Sequence, residues 1–195
     1  VMWSQSVIVE VYSLNAMFQM LVMLFLYRWM SRPREDQSLY ILAFLFGLGL
    51  TNHQTLMFLG LALAVGVLMK DIRLFRDFVI VGLLFVVMMG INSWAKANNH
   101  PEMMWIQGPS SKAFWVYTVL AVLIPIAGLA LPRGKTVCIS FLLAELGIAF
   151  YCFMPFASDQ NPPINWGYPR TWEGFMHAIT RGQYEKITLT DIFST

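Results

Sequence analysis

The feature that most constrains this chain is the length of its apolar runs. Residues 7–29, 77–95, 113–131 and 136–157 each reach the roughly 17–25 residues that a helix needs to cross a bilayer. Helix is the element such runs favour, because in hydrocarbon every backbone N–H and C=O must be bonded within its own segment. A fifth stretch, residues 39–70, is equally apolar but is broken by Thr51, Asn52, His53, Gln54 and Thr55. One long tilted helix would hold these five polar residues at its middle, where each unsatisfied group costs several kcal/mol. A hairpin of two short helices, 39–50 and 55–69, places them at a turn instead.

The basic residues separate the two readings. Arg28, Arg32 and Arg34, then Lys70, Arg73 and Arg76, then Arg133 and Lys135 put eight of the thirteen Lys and Arg residues into three short segments. With the hairpin, all three segments fall on one face, which the positive-inside rule assigns to the cytoplasm. A single helix would set the first segment opposite the second. The expected fold class is therefore all-α, a polytopic transmembrane bundle of about six spans at 7–29, 39–50, 55–69, 77–95, 113–131 and 136–157. Residues 1–157 form that bundle, and 158–195 form an outer-face loop. The N-terminus, the 51–55 turn and the 94–112 loop share the outer face with it. None of the seven tryptophans falls in the middle of a span, in keeping with their preference for the membrane interface.

Composition narrows the partners. Hydrophobic residues make up 57% of the chain and charged residues 12%, against roughly 45–50% and about 25% in soluble domains. Mean hydropathy is +0.59. A net charge of +2 is too balanced for a nucleic-acid footprint, so the lipid bilayer is the first expected partner. Cys138 and Cys152 stand fourteen positions apart in one apolar run. A single helix would hold them about 21 Å apart, so they do not pair with each other. His100 and His177 are lone histidines with no ligand spacing, and no metal site is expected. Arg133-Gly134-Lys135-Thr136 lacks the first glycine and the strand context of a nucleotide loop. The chain begins at Val1 without a cleavable leader pattern and ends without a terminator, so it reads as an internal piece of something longer.

Few polar residues remain to carry chemistry. Glu10 lies a few residues into the first span, where a carboxylate is either functional or hydrated at the interface, with Tyr12 and Asn15 close along the same helix. Asn52, His53 and Gln54 concentrate donors and acceptors at the hairpin tip. Either they line an outward cavity suited to phosphate or hydroxyl recognition, or they cap the turn. Glu145 is the deepest acid, and a structural or interhelical role is the preferred reading. The tail from Asp159 to Pro169 is dense in turn formers and excludes regular helix. Beyond it, Thr171 is the expected N-cap of a surface-lying amphipathic helix over 171–180, with Trp172, Phe175 and Ile179 on its apolar face.

Three clusters go beyond generic membrane composition. Trp3-Ser4-Gln5 with Val9-Glu10-Val11-Tyr12-Ser13-Leu14-Asn15, then Gly47 to Thr55, then Asn161 to Thr171 resemble a bacterial polytopic membrane family, a domain of unknown function. That family is related to the eukaryotic transmembrane O-mannosyltransferase of IPT domains. The resemblance implies a GT-C type glycosyltransferase that takes a sugar from a polyprenyl-phosphate carrier and transfers it to a protein or glycan acceptor on the outer or lumenal face. It implies a bacterial inner-membrane location and a lipid-linked sugar as donor substrate, with no separate cofactor. It places the catalytic acid in an outer loop upstream of residue 1, with Glu10 as a helper. Substrate contacts fall to Glu10, Tyr12, Asn15, Asn52, His53, Gln54, Asn165, Trp166 and Arg170. The rival readings are a transporter or flippase-like protein, and a non-catalytic membrane subunit of a larger complex.

Overall fold

The computed structural model describes residues 11–32, 35–100, 103, 111–163, 165 and 167–179. Glu10 and Trp166 lie outside the described residues, as do the side chains of Tyr12 and Gln54 and the last position of the expected 171–180 helix. All regular structure among the described residues is helical. In chain order it comprises α1 (Val11–Ser31), α2 (Gln37–Asn52), a 3-10 turn (Gln54–Phe58) and α3 (Leu59–Lys70). There follow α4 (Ile72–Ala97), α5 (Ser111–Ala127), a 3-10 turn (Gly128–Ala130), α6 (Gly134–Ile148), a 3-10 turn (Ala149–Cys152), α7 (Phe153–Asp159) and α8 (Trp172–Ile179).

The chain divides into two compact units, Val1–Gly90 with Thr118–Phe150, and Ile91–Tyr117 with Tyr151–Thr195. In the first, the buried core draws Val22, Leu26 and Trp29 from α1, Leu39 and Leu42 from α2, and Val67 from α3. Leu74 and Val81 of α4 and Val137 of α6 complete it. Helix α2 packs on both α1 and α6. It approaches α6 backbone to backbone: a Cβ added at Gly147 would meet Leu48 N at 2.5 Å and Phe44 O at 2.6 Å, and one at Gly47 would strike the Ala144 carbonyl. Small residues let helix backbones approach this closely where hydrocarbon offers no hydrophobic drive to association.

The chain reverses between α2 and α3. Asp36, just before α2, accepts from Arg133 Nη2 at 3.2 Å, from Thr136 Oγ1 at 2.8 Å and from Trp29 Nε1 at 3.4 Å. Asp71, just after α3, lies 3.2 Å from Arg133 Nε, a charge contact whose N–H is not aligned for a hydrogen bond. A continuous helix would hold Asp36 and Asp71 about 50 Å apart, so one arginine could not reach both. The turn is tighter than a five-residue loop. Thr51 and Asn52 stay helical, His53 alone is extended (φ −148°, ψ 132°), and the 3-10 turn starts at Gln54.

The same end of the unit gathers the short basic segments. Lys70 Nζ donates to the carbonyls of Trp29 and Arg32 and sits 4.0 Å from the Trp29 ring centroid. Burial pushes the Lys70 amine below its ordinary value, while the hydrogen bond from Arg32 holds the half-buried Glu35 carboxyl below its own. Asp77 is fully buried, accepting from Arg76 Nε and Nη2 at 2.9 and 2.7 Å and from the Arg133 backbone N–H at 2.8 Å.

Three expected spans change shape. The 77–95 run is part of a longer helix that starts at Ile72, which brings Arg76 and Asp77 inside it. The 136–157 run is α6 and α7 joined by the Ala149–Cys152 turn. The 113–131 run ends in 3-10 form at Gly128–Ala130, just after Pro125, which has no N–H for the α-helical ladder. Among the described residues, Ile72–Ala97 and Gly134–Asp159 are long and apolar enough to cross a membrane, and only 22% of the apolar window of each is buried. The core helix of a soluble protein would be mostly buried, whereas these turn their apolar surface outward. Gln37–Asn52, Thr55–Lys70 and Trp115–Ala130 are apolar but shorter. Both cysteines are free.

Candidate functional site

In the first unit the functional candidates meet where the chain reverses. Ending α2 at His53 exposes the first N–H groups of the 3-10 turn, and the His53 ring answers one of them: Nδ1 accepts from the Thr55 backbone N–H at 3.3 Å. Thr55 Oγ1 lies 2.8 Å from the same nitrogen and receives the Asn15 amide N–H at 3.1 Å. Because Nδ1 accepts from a backbone N–H, the neutral ring carries its proton on Nε2. The result is a directed relay, Asn15 amide to Thr55 hydroxyl to His53 imidazole, running from a buried residue on α1 to a half-buried one at the break. Asn15 Oδ1 is buried and has no hydrogen-bond partner among the described residues. An amide oxygen in that state costs about 1–3 kcal/mol unless something donates to it.

Of the expected residues, the structure therefore joins Asn15 and His53 through Thr55, which sequence reasoning had placed in the polar turn without giving it a role. Asn52 is half-buried at the last position of α2.

The second unit holds the tail cluster. Ser158 Oγ donates to Asn165 Oδ1 at 2.8 Å, and Asn165 Nδ2 returns a bond to the Ser158 carbonyl at 3.1 Å. Ser158 Oγ also accepts the Arg170 backbone N–H at 3.3 Å, and Arg170 Nη1 donates to Asn161 Oδ1 at 2.9 Å. Asn165 thus pins the loop, and Arg170 presents an exposed guanidinium braced by Asn161. Asn161, Gly167 and Tyr168 all have positive φ, 48°, 75° and 47°. That folding lets Gly174 of α8 press against the Gly167 and Tyr168 carbonyls, where a side chain would not fit. Thr171 caps α8 as expected, its Oγ1 accepting from the Gly174 N–H at 3.1 Å.

Glu145 has both carboxylate oxygens buried without a hydrogen-bond partner among the described residues. The acids Asp36, Asp71 and Asp77 join the basic segments, a role that the clustering of Arg and Lys alone does not indicate. Their adjacency to Glu35, Lys70 and Arg76 was the available signal. No group of three or more His, Cys, Asp or Glu side chains able to hold a metal occurs among the described residues.

The fold and relay define a helical bundle with outward apolar faces and one polar relay at a helix break. Residues 1–75, which contain that relay and the whole helix reversal, match the family model described as the Protein O-mannosyl-transferase TMEM260 N-terminal domain. No curated protein and no solved structure matches the chain.

Proposed function

We propose that the chain is part of an integral-membrane glycosyltransferase, of the GT-C type, which transfers a sugar from a polyprenyl-phosphate carrier to a protein or glycan acceptor on the outer or lumenal face. The observation that carries this reading is the Asn15–Thr55–His53 relay with its unpartnered Asn15 oxygen, inside the segment that matches the O-mannosyl-transferase domain. A buried amide oxygen beside a hydroxyl and an imidazole suits sugar hydroxyls, which both donate and accept.

In this reading an acceptor hydroxyl oxygen attacks the anomeric carbon, the carbon–oxygen bond to phosphate breaks, and the lipid phosphate leaves. The acceptor proton passes to a carboxylate upstream of residue 1, with Glu10 as its helper. Developing charge on the leaving phosphate calls for nearby donors, a role for His53 Nε2–H in the first unit; Arg170, in the second, is a further substrate-binding residue. Tyr12, Asn52, Gln54, Asn165 and Trp166 complete the substrate-binding set. The six-span topology follows, with the N-terminus, the His53 break and the tail on the outer face of a bacterial inner membrane or its lumenal equivalent.

The test uses full-length protein supplied with a polyprenyl-phosphate mannose donor. Asn15→Ala, His53→Ala and Arg170→Ala lose transfer while inserting normally, and unchanged turnover in all three removes the site assignment.

A further inference from the structure

In the first unit, a cavity of about 400 Å³ lies among α2, α3, α4 and α6, walled by Leu39, Phe46, Leu63, Val67 and Phe141. Its size falls within the roughly 300–1,000 Å³ of ligand pockets, and apolar lining of this extent leaves water without partners. One polar side chain enters the wall. Ser140 is 3% exposed, and its hydroxyl has no hydrogen-bond partner among the described residues. Val79 also lines the cavity and is 42% exposed, so the space reaches the outer surface of the helices.

The position of the cavity says what fills it. Each wall begins one helical turn from the charged end: Leu39 follows Asp36, Val67 precedes Lys70, and Ser140 follows Thr136. That end carries seven basic side chains, Arg28, Arg32, Lys70, Arg73, Arg76, Arg133 and Lys135, against the four acids Glu35, Asp36, Asp71 and Asp77, among the described residues. The acids are satisfied internally, whereas Arg28, Arg73 and Lys135 are exposed and carry no ion pair among the described residues. A hydrocarbon slot beneath a surplus of exposed cations matches one molecule type in its two halves.

We propose that this cavity binds one acyl chain of an anionic membrane phospholipid, with the headgroup phosphate held by the unpaired cations at the Asp36–Arg133 end and the ester region hydrogen-bonded to Ser140. The headgroup end of the site lies at the opposite end of α2 from His53, and the cavity lining includes none of Asn15, His53 and Thr55, so the site is separate from the donor site proposed above and stands whether or not that reading holds.

The experiment reconstitutes full-length protein in vesicles containing phosphatidylglycerol with a diazirine on one acyl chain, and maps the photolabel by mass spectrometry. Label is expected within residues 60–67 and 140–144. Gly60→Leu fills the slot, because an added Cβ there meets only the tip of Phe46 at 3.7 Å. It should cut this label by about tenfold with the thermal midpoint retained. Arg73→Gln combined with Lys135→Gln should reduce it by about 25-fold, since each surface cation contributes about fivefold to anionic lipid binding. Absence of label at these peptides, as when another helix of the full chain occupies the slot, overturns the proposal. So does equal label from diazirine phosphatidylcholine, stronger label from a diazirine polyprenyl phosphate, or label that Gly60→Leu leaves unchanged.

Discussion

The backbone N–H of Arg133 donates to Asp77 Oδ2 at 2.8 Å across 56 positions of sequence, and Asp77 is 0% exposed. The start of α6 is thereby tied to the first turns of α4 by a carboxylate whose charge is balanced by Arg76. Arg76→Ala leaves that buried charge without its cation. The expected loss is about 2–3 kcal/mol, at the low side for a broken buried pair because the Arg76 side chain is half exposed and solvent reaches its place. Asp77→Asn in the same background should recover part of it. A double-mutant cycle of thermal unfolding in detergent checks both, and strictly additive losses would contradict the pairing.

Two glycines in different surroundings carry opposite predictions. Gly147→Ala forces a Cβ against the Leu48 and Phe44 backbone and should cost about 1–3 kcal/mol as the helices part. Gly82→Ala, on α4, meets nothing within 4 Å and should gain up to about 1 kcal/mol from helix propensity. Melting temperatures of the two variants in one detergent distinguish them, and a shift of the same sign in both would refute the packing.

Lys70 supplies a pH dependence. Burial lowers its folded-state pKa below the unfolded value of 10.5, so between the two the unfolded chain binds more protons. Stability from this group therefore rises with pH across that window and is lowest where Lys70 is charged in both states. The stability of the wild type relative to Lys70→Met should increase from pH 7 towards 10.5, followed by chemical denaturation at fixed ionic strength. A difference that stays flat or falls would argue against the buried amine.

The His53 relay can be tested without any substrate. Thr55→Val keeps the side-chain shape but removes the hydroxyl between the Asn15 amide and His53 Nδ1, at an expected loss of about 1–3 kcal/mol from the stranded buried amide. Ring nitrogen chemical shifts should show Nε2 protonated in the wild type and a mixed tautomer population in the variant. Identical tautomer ratios in both would mean that Thr55 does not orient the ring.

The helical class, the apolar runs and the reversal near residue 53 were legible because hydrocarbon length and polar interruption are local properties, read from consecutive residues. Clustered Arg and Lys also pointed to the hairpin, since a charge pattern along the chain carries topology. What the sequence could not settle is which polar groups satisfy one another. Asn15 and Thr55 are 40 positions apart, and Asp36 and Arg133 are 97 apart. Pairing at such separations depends on how α1, α2 and α6 pack, and that packing rests on the absence of side chains at Gly47 and Gly147, which no periodicity records. The same holds for Asn165, whose amide the tertiary structure commits to Ser158. Sequence by itself determined where the chain is apolar, where it breaks and where its few polar residues stand. Only the tertiary structure decided their partners, because a buried donor or acceptor is satisfied by whatever group the packed helices bring within about 3 Å of it.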